Sequence, residues 1–401
     1  MYPRISDFIN DILGTNFILP IQSFGFFVAL CFIVAYFVLA YDLKLKQAAG
    51  IFSTKKIKVK VGGPISEFDI LINFALFGLL GYKLGLMFQD YTGFARNPQE
   101  AILSTDGSFL WALIFALAAG GYKLYEFLKK KKEKVKFEMQ DHGIIEELGT
   151  VFTIAFIGGI LGAKVFHNLE YWDTFVKDPI GSLLSFDGLT FYGGLIVAAA
   201  GITWYIIKKN YPVLPFADSV ATVLMLGYGI GRIGCQVAGD GDWGIDNTAP
   251  KPGWLSWAPD WVWSYNYPHN VLNDGIPIEG CTGDYCSVLA TPVFPTPFYE
   301  VVMSLVIFAG LWLIRKRLPY WGQLMGIYLM FNGLERFFIE KIRVNSTYHI
   351  FGGEITQAEI ISSVLFIGGL VLFFYSTFKW KKPYVEAYQN PQKQKVDEKG
   401  E

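Results

Sequence analysis

Nine stretches of this chain are apolar over the length of a membrane's hydrocarbon core, and nothing else in the sequence confines the fold as much. They run roughly over 18–41, 67–88, 108–128, 148–167, 188–207, 216–235, 297–314, 321–340 and 357–378, where a crossing helix needs about 20 residues. Backbone inside lipid must satisfy its own hydrogen bonds, which favours helices. Composition agrees: 52% of residues are hydrophobic and 17% charged, too little polar surface for a soluble chain of this length. The expected class is an all-α polytopic membrane protein of about nine transmembrane helices, with an extracytoplasmic head segment.

The distribution of charge then orients the chain. With the N-terminus outside and the C-terminus inside, the inside loops hold six Lys and Arg in 42–66, six in 129–146, two in 208–215, three in 315–320 and six after 378. The outside segments hold only Arg4, Arg96, Lys177, Lys251, Lys341 and Arg343. This asymmetry follows the positive-inside rule. A net charge of −1 gives no reason to expect a nucleic-acid partner. The first twenty residues lack the basic start, apolar core and cleavage site of a signal peptide, so the first span is expected to stay in the membrane.

The chain also repeats itself at an offset of 81 residues. Gly78, Gly81, Lys83, Phe94, Pro98, Leu103, Ser104, Asp106, Gly107, Ala118, Ala119 and Gly120 match Gly159, Gly162, Lys164, Phe175, Pro179, Leu184, Ser185, Asp187, Gly188, Ala199, Ala200 and Gly201. Each copy reads as helix, outside loop and helix, a parallel repeat whose small residues suit close helix contacts. Six segments result. Residues 1–61 hold an N-terminal arm, the first span and a basic loop, and 62–136 an extra helix pair that is the first repeat copy. Residues 146–235 hold core helices with the second copy, and 236–295 an outside head rich in Trp, Gly and Pro. Residues 296–378 hold the last core helices, and 379–401 a basic tail drawn to anionic headgroups. In the head, Trp243, Trp254, Trp257, Trp261 and Trp263 suit either the membrane interface or a substrate cradle. Cys281 and Cys286 lie there too, where a disulfide is permitted.

Ionisable residues inside spans are costly and mark function or mutual pairing. Here Lys164, Arg232, Glu300, Glu335, Arg336 and Glu340 collect at one depth, near the outer surface. Glu335 with Lys341, and Glu340 with Arg336, are near enough along a helix to pair internally. Two arginines at membrane depth suit a phosphate, because guanidinium is a planar, permanently charged fork of donors. At that depth a phosphate belongs to a phospholipid headgroup. Asp240, Glu300 and Glu340 are candidates to accept protons or to hold the arginines. His142, His167, His269 and His349 show no metal-ligand spacing, so no metal is expected.

Four blocks in order carry a resemblance to the prolipoprotein diacylglyceryl transferases. They are Gly188-Leu189-Thr190-Phe191-Tyr192-Gly193-Gly194-Leu195-Ile196; Gly231-Arg232-Ile233-Gly234 with Gly239-Asp240-Gly241-Asp242-Trp243-Gly244; Pro295-Thr296-Pro297-Phe298-Tyr299-Glu300; and Glu335-Arg336-Phe337-Phe338-Ile339-Glu340-Lys341-Ile342-Arg343. Gly162-Ala163-Lys164 stands where the family usually has Gly-x-Arg. The resemblance covers roughly 146–378 and the first helix, and it implies a location in the bacterial inner membrane with the site near the periplasmic face.

It also implies a reaction without a cofactor: the diacylglyceryl group of phosphatidylglycerol moves to the lipobox cysteine thiol of a prolipoprotein signal peptide, and glycerol 1-phosphate is released. Arg232, Arg336, Tyr192, Asp240 and Glu300 are implied as catalytic. Lys164, Gly193, Gly194, Gly231, Gly244, Tyr299, Glu340 and Arg343 are implied to bind phosphatidylglycerol or the precursor. The chain departs from the pattern where Tyr192 replaces a frequent His, Cys235 replaces a frequent Asn, and the Gly239–Gly244 stretch is one residue longer. The family generally has about seven helices; the extra pair is the first repeat copy, which has Trp111-Ala112-Leu113 in place of Tyr-Gly-Gly and reads as non-catalytic. Two other readings stay open: a lipid- or lipoprotein-binding relative without turnover, and a transporter.

Overall fold

The computed structural model describes residues 1–379 apart from 64–65, 97, 132–134, 186–189, 345–346 and 351–352. The repeat matches Asp187 and Gly188, part of the first motif block and the basic tail therefore lie outside the described residues. The helices are α1 (Ile5–Leu13), α2 (Ser23–Ala48), α3 (Glu67–Gln89), α4 (Tyr91–Arg96), α5 (Pro98–Leu103), α6 (Phe109–Lys130) and α7 (Leu148–Glu170). They continue with α8 (Trp172–Lys177), α9 (Pro179–Leu184), α10 (Phe191–Lys208), α11 (Val213–Ala238), α12 (Thr296–Ile314), α13 (Gln323–Glu340) and α14 (Gln357–Lys379). Among them α2, α3, α7, α10, α11, α12 and α14, seven helices, are long and apolar enough to cross a membrane. The other two expected spans are helical as well, as α6 and α13, but are less apolar. Helix α13 has the length but carries Glu335, Arg336 and Glu340, and α6 is diluted by Tyr122, Lys123, Tyr125 and Glu126 near its end.

Three short antiparallel ribbons correct the all-α expectation. Strand β1 (Lys55–Val61) pairs with β2 (Lys136–His142), β3 (Ile276–Pro277) with β4 (Ser287–Val288), and β5 (Thr347–Ile350) with β6 (Gly353–Thr356). In β1 lysines alternate with Ile57, Val59 and Val61, the period of a strand. That segment reads as a basic loop if only charge is counted.

The chain divides into two compact units. One comprises Arg4–Ile21 and Lys55–His142, and within it α3 packs along α6. Ser66 opens α3 with a capping box, its hydroxyl accepting from Phe68 N–H while Asp69 accepts from Ser66 N–H. The approach to α6 is set by Gly81, where an added Cβ would stand 2.5 Å from the Trp111 carbonyl oxygen.

The other unit comprises Met1–Pro3, Gln22–Thr54 and 143–401. In it α7 packs on α10, α2 and α12 on α11, and α14 on α13. The bounds of α3, α4 and α5 recur in α7, α8 and α9 at an offset of 81 residues. Gly162 repeats the role of Gly81, since an added Cβ would stand 2.5 Å from the Gly193 carbonyl. At the basic end of this unit, Lys46 donates to the Pro215 carbonyl at 2.8 Å and to Ser219 Oγ at 2.6 Å. Asp42, nearly buried, pairs there with Lys46 at 3.2 Å and Arg315 at 3.3 Å, tying α2, α11 and α12 together. Asp218 caps α13 by accepting from the Gly322 and Met325 N–H groups; Gly322, at φ 95°, makes the turn in the left-handed region.

Candidate active site

At the other end of the same helices the polar residues gather. Tyr228 and Arg232 are four apart and share one face of α11, and the Arg232 guanidinium lies over the Tyr228 ring, 5.2 Å from its centroid. Helix α12 brings in Glu300 one turn after Pro297, and this side chain is fully buried. Three guanidiniums converge on it: Arg232 Nε at 3.0 Å, Arg336 Nη1 at 3.4 Å and Arg343 Nη1 at 3.7 Å. The Tyr228 hydroxyl donates to the same carboxylate at 2.7 Å. Arg336 also pairs with Glu340 one turn along, at 2.7 Å.

Asp242 closes the arrangement from outside the helices. One of its oxygens pairs with Arg232 and the other with Arg343 Nη2, the latter at 2.6 Å. The segment is held by backbone and side-chain bonds: Thr296 Oγ1 donates to the Asp242 carbonyl at 2.6 Å, Gly244 N–H to Phe294 at 2.8 Å, and Ile245 N–H to Ile342 at 2.9 Å. A Cβ on Gly244 would meet Phe294 Cβ and Thr296 Cγ2 at 2.9 Å each, so only glycine lets these segments approach so closely. Burial by itself would push the Asp242 carboxyl up, but the Arg232 and Arg343 charges outweigh it and hold the group at about 2. Asp240 goes the other way: burial first, and then the charge of Asp242, raise it above the ordinary carboxylate value.

The expected residues thus fall into two sets. Arg232, Arg336, Arg343, Glu300 and Glu340 form one connected cluster, and Tyr192 on α10 comes within hydrogen-bonding reach of Arg336. Gly231 has open space beside it, with nothing within 4 Å of an added Cβ. Asp240 enters none of the cluster's ion pairs among the described residues; it accepts from the Asp242 N–H at 3.4 Å. Cys235, Asp240 and Asp242 bring one ligand-type atom each within 4.8 Å of one another, but arginines already occupy both Asp242 oxygens.

The remainder are engaged by other partners. Lys164 is directed to the loop, donating to the Ser185 carbonyl at 2.7 Å and its Oγ at 2.9 Å. Gly193 and Gly194 are buried where α10 meets α7, each within 2.6 Å, as an added Cβ, of the Gly162 or Gly159 carbonyl oxygen. Tyr299 donates to the Val262 carbonyl at 2.8 Å, fastening α12 to the head. Lys341 pairs with Glu359 of α14, which corrects the expected Glu335–Lys341 pair: helix packing supplies a nearer carboxylate than the chain does.

Three members of the site were not assigned roles from sequence: Asp242, Tyr228 and Glu335. Asp242 lies inside a motif block, two residues from Asp240. Tyr228 has only its i, i+4 spacing to Arg232 to betray it. Glu335 looked internally paired. In the head, Cys281 and Cys286 are disulfide-bonded, Trp254 and Trp257 are 73% and 81% exposed, and Trp263 donates to the Ala249 carbonyl.

A family model described as prolipoprotein diacylglyceryl transferase matches residues 108–375. A phosphatidylglycerol–prolipoprotein diacylglyceryl transferase of Vibrio vulnificus strain YJ016 is 29% identical over 236 residues, 58% of this chain and 75% of that protein. The protein of the same name from Corynebacterium glutamicum ATCC 13032 is 30% identical over 229 residues, covering 55% and 66%. One numbered 2 from Clostridium perfringens strain 13 is 27% identical over 236 residues, covering 58% and 79%.

Proposed function

The chain belongs to the prolipoprotein diacylglyceryl transferase family, and we propose that it moves the diacylglyceryl group of phosphatidylglycerol onto the lipobox cysteine thiol of a prolipoprotein signal peptide. Glycerol 1-phosphate is the other product. The observation that carries this reading is the convergence of Arg232, Arg336 and Arg343 on one buried carboxylate at one end of the helices. Such a cluster is an anion site built into a membrane protein.

The chemistry follows from that geometry. The sulfur attacks a glyceryl carbon, an S–C bond forms, and the C–O bond to phosphate breaks with its electron pair going to the phosphate oxygen. Arg232 and Arg336 bind the phosphodiester through their donor forks and take up the charge that builds on the leaving oxygen. Glu300, Glu340 and Asp242 hold those forks in place, so little reorganisation is needed when the bond breaks. A thiol has an ordinary pKa of about 8.5 and needs a base. Asp240 is that base: it is raised toward the range in which it can take a thiol proton, and the Arg232–Asp242 pair lies next to it. Tyr192, beside Arg336, donates a hydrogen bond to the lipid rather than acting as a base.

In this reading the N-terminus is outside, the C-terminus inside, and the site near the periplasmic face of the bacterial inner membrane. The Lys and Arg asymmetry of the loops supports it, and so does the Cys281–Cys286 disulfide, which forms in oxidising compartments. The pair in 62–136 is a non-catalytic copy, and the Trp-rich segment 236–295 a cradle for the precursor.

The test is direct. Purified protein is incubated with phosphatidylglycerol and a lipobox peptide, and the peptide is weighed by mass spectrometry. A diacylglyceryl increment on the cysteine with release of glycerol phosphate is expected. Its absence, where a Vibrio relative works, would leave a lipid- or lipoprotein-binding protein without turnover.

A further inference from the structure

Tyr228 has one hydroxyl hydrogen and two carboxyl neighbours. Its oxygen lies 2.7 Å from Glu300 Oε1 and 3.4 Å from Glu335 Oε1. One O–H serves one acceptor well, and the shorter contact identifies Glu300 as that acceptor. Glu335 is left in an odd position. It is 4% exposed, and its Oε2 has no hydrogen-bond partner among the described residues.

The groups facing it offer no cation of its own. Tyr228 and Arg232 come from α11, Glu300 from α12, and Tyr328 and Arg336 from its own helix. Arg232 is engaged with Asp242 and Glu300, and Arg336 with Glu300 and Glu340. On α14, Glu359 is bonded to Lys341. The cluster is already matched in charge, with Arg232, Arg336 and Arg343 against Asp242, Glu300 and Glu340, and Asp240 stands nearby. A bound phosphodiester adds a negative charge. An ionised Glu335 would add a second, in an interior where charges are weakly screened.

We propose that Glu335 stands as the neutral acid, giving its hydrogen to the Tyr228 oxygen, and that this proton is what allows the arginine cluster to accept an anionic phosphodiester. Glu335 touches no substrate in this scheme. It is a positioning residue that acts through Tyr228 and Glu300, and the inference rests on reading the cluster as the phosphatidylglycerol site. Phosphatidylglycerol binding is then linked to one proton, and affinity falls about tenfold per pH unit once that proton is lost.

The experiment measures phosphatidylglycerol binding to the full chain in detergent by calorimetry, across pH and without an acceptor peptide. Wild-type affinity should fall on the alkaline side, and there the heat should depend on the buffer's ionisation enthalpy because binding takes up a proton. Glu335→Gln, permanently neutral, should keep its affinity over the same range and bind without proton uptake. Uncharged diacylglycerol should bind with no such pH dependence in either protein. An unchanged alkaline slope in E335Q, or the same slope with diacylglycerol, overturns the proposal. If E335Q does not fold, infrared spectroscopy of the wild type at neutral pH decides: an un-ionised carboxyl stretch that moves in Tyr228→Phe supports the acid, and its absence overturns it. A protein that binds phosphatidylglycerol with this linkage yet never transfers its lipid would remove the transferase reading and leave this one standing.

Discussion

Lys164 Nζ lies 2.7 Å from the carbonyl oxygen of Ser185, a bond from α7 to the loop that precedes α10. Lys83 makes the corresponding bond to Ser104 in the other repeat copy. The repeated lysine is therefore a staple for the loop between two helices. Lys164→Met should lower stability by about 1–3 kcal/mol, the cost of a buried bond to a charged donor. Thermal unfolding in detergent measures it, and Lys83→Met should show a loss of the same order in its own unit.

Arg232 pairs with two of the site's carboxylates, Asp242 and Glu300. Removing it leaves Glu300 buried with a weaker set of partners. Arg232→Ala should cost about 3–5 kcal/mol of stability and reduce transfer about 10²- to 10³-fold. Denaturation and the peptide assay separate the two losses, and full retained transfer would take Arg232 out of the mechanism.

Asp242 gives a signature in acid. Its carboxyl sits at about 2 against an ordinary 3.8. A lowered carboxylate stabilises the fold above its unfolded value and ceases to do so as pH falls through its folded one. Its contribution should be whole above about pH 4 and lost by about pH 2. Asp242→Asn should flatten that limb of the stability curve, read by chemical denaturation at stepped pH. Asp240 is shifted upward and acts with the opposite sign, favouring the fold as it takes up its proton in falling pH.

Cys281 and Cys286 report on sidedness. In intact cells with the head outside, a membrane-impermeant maleimide should label both thiols only after an impermeant reductant has acted. Labelling that needs permeabilised cells would reverse the proposed orientation. Because the bridge closes a loop of only a few residues, reduction should cost little stability.

The long helices were legible within a few residues because apolar run length is nearly sufficient to define a span. What escaped the sequence depended on neighbours distant in the chain. Lys341 found Glu359 on α14 instead of Glu335 on its own helix. Asp240 and Asp242 are two residues apart and chemically alike; Thr296, which holds the Asp242 carbonyl, helps decide which of them meets the arginines. The arginines themselves were readable, since charge at membrane depth is too costly to be incidental. The ribbon of β1 and β2 was not, because a lysine-rich alternation reads equally well as an inside loop.

Asp242 belongs to the chain outside the helices, yet it grips one arginine from α11 and another from beyond α13. Any shift of the 239–246 segment must carry both guanidiniums with it. The carboxylate acts as a rein: in the proposed function, a peptide pressing on this segment would pull on the arginines that grip the phosphate. The arrival of one substrate would thereby be felt mechanically by the residues proposed to hold the other.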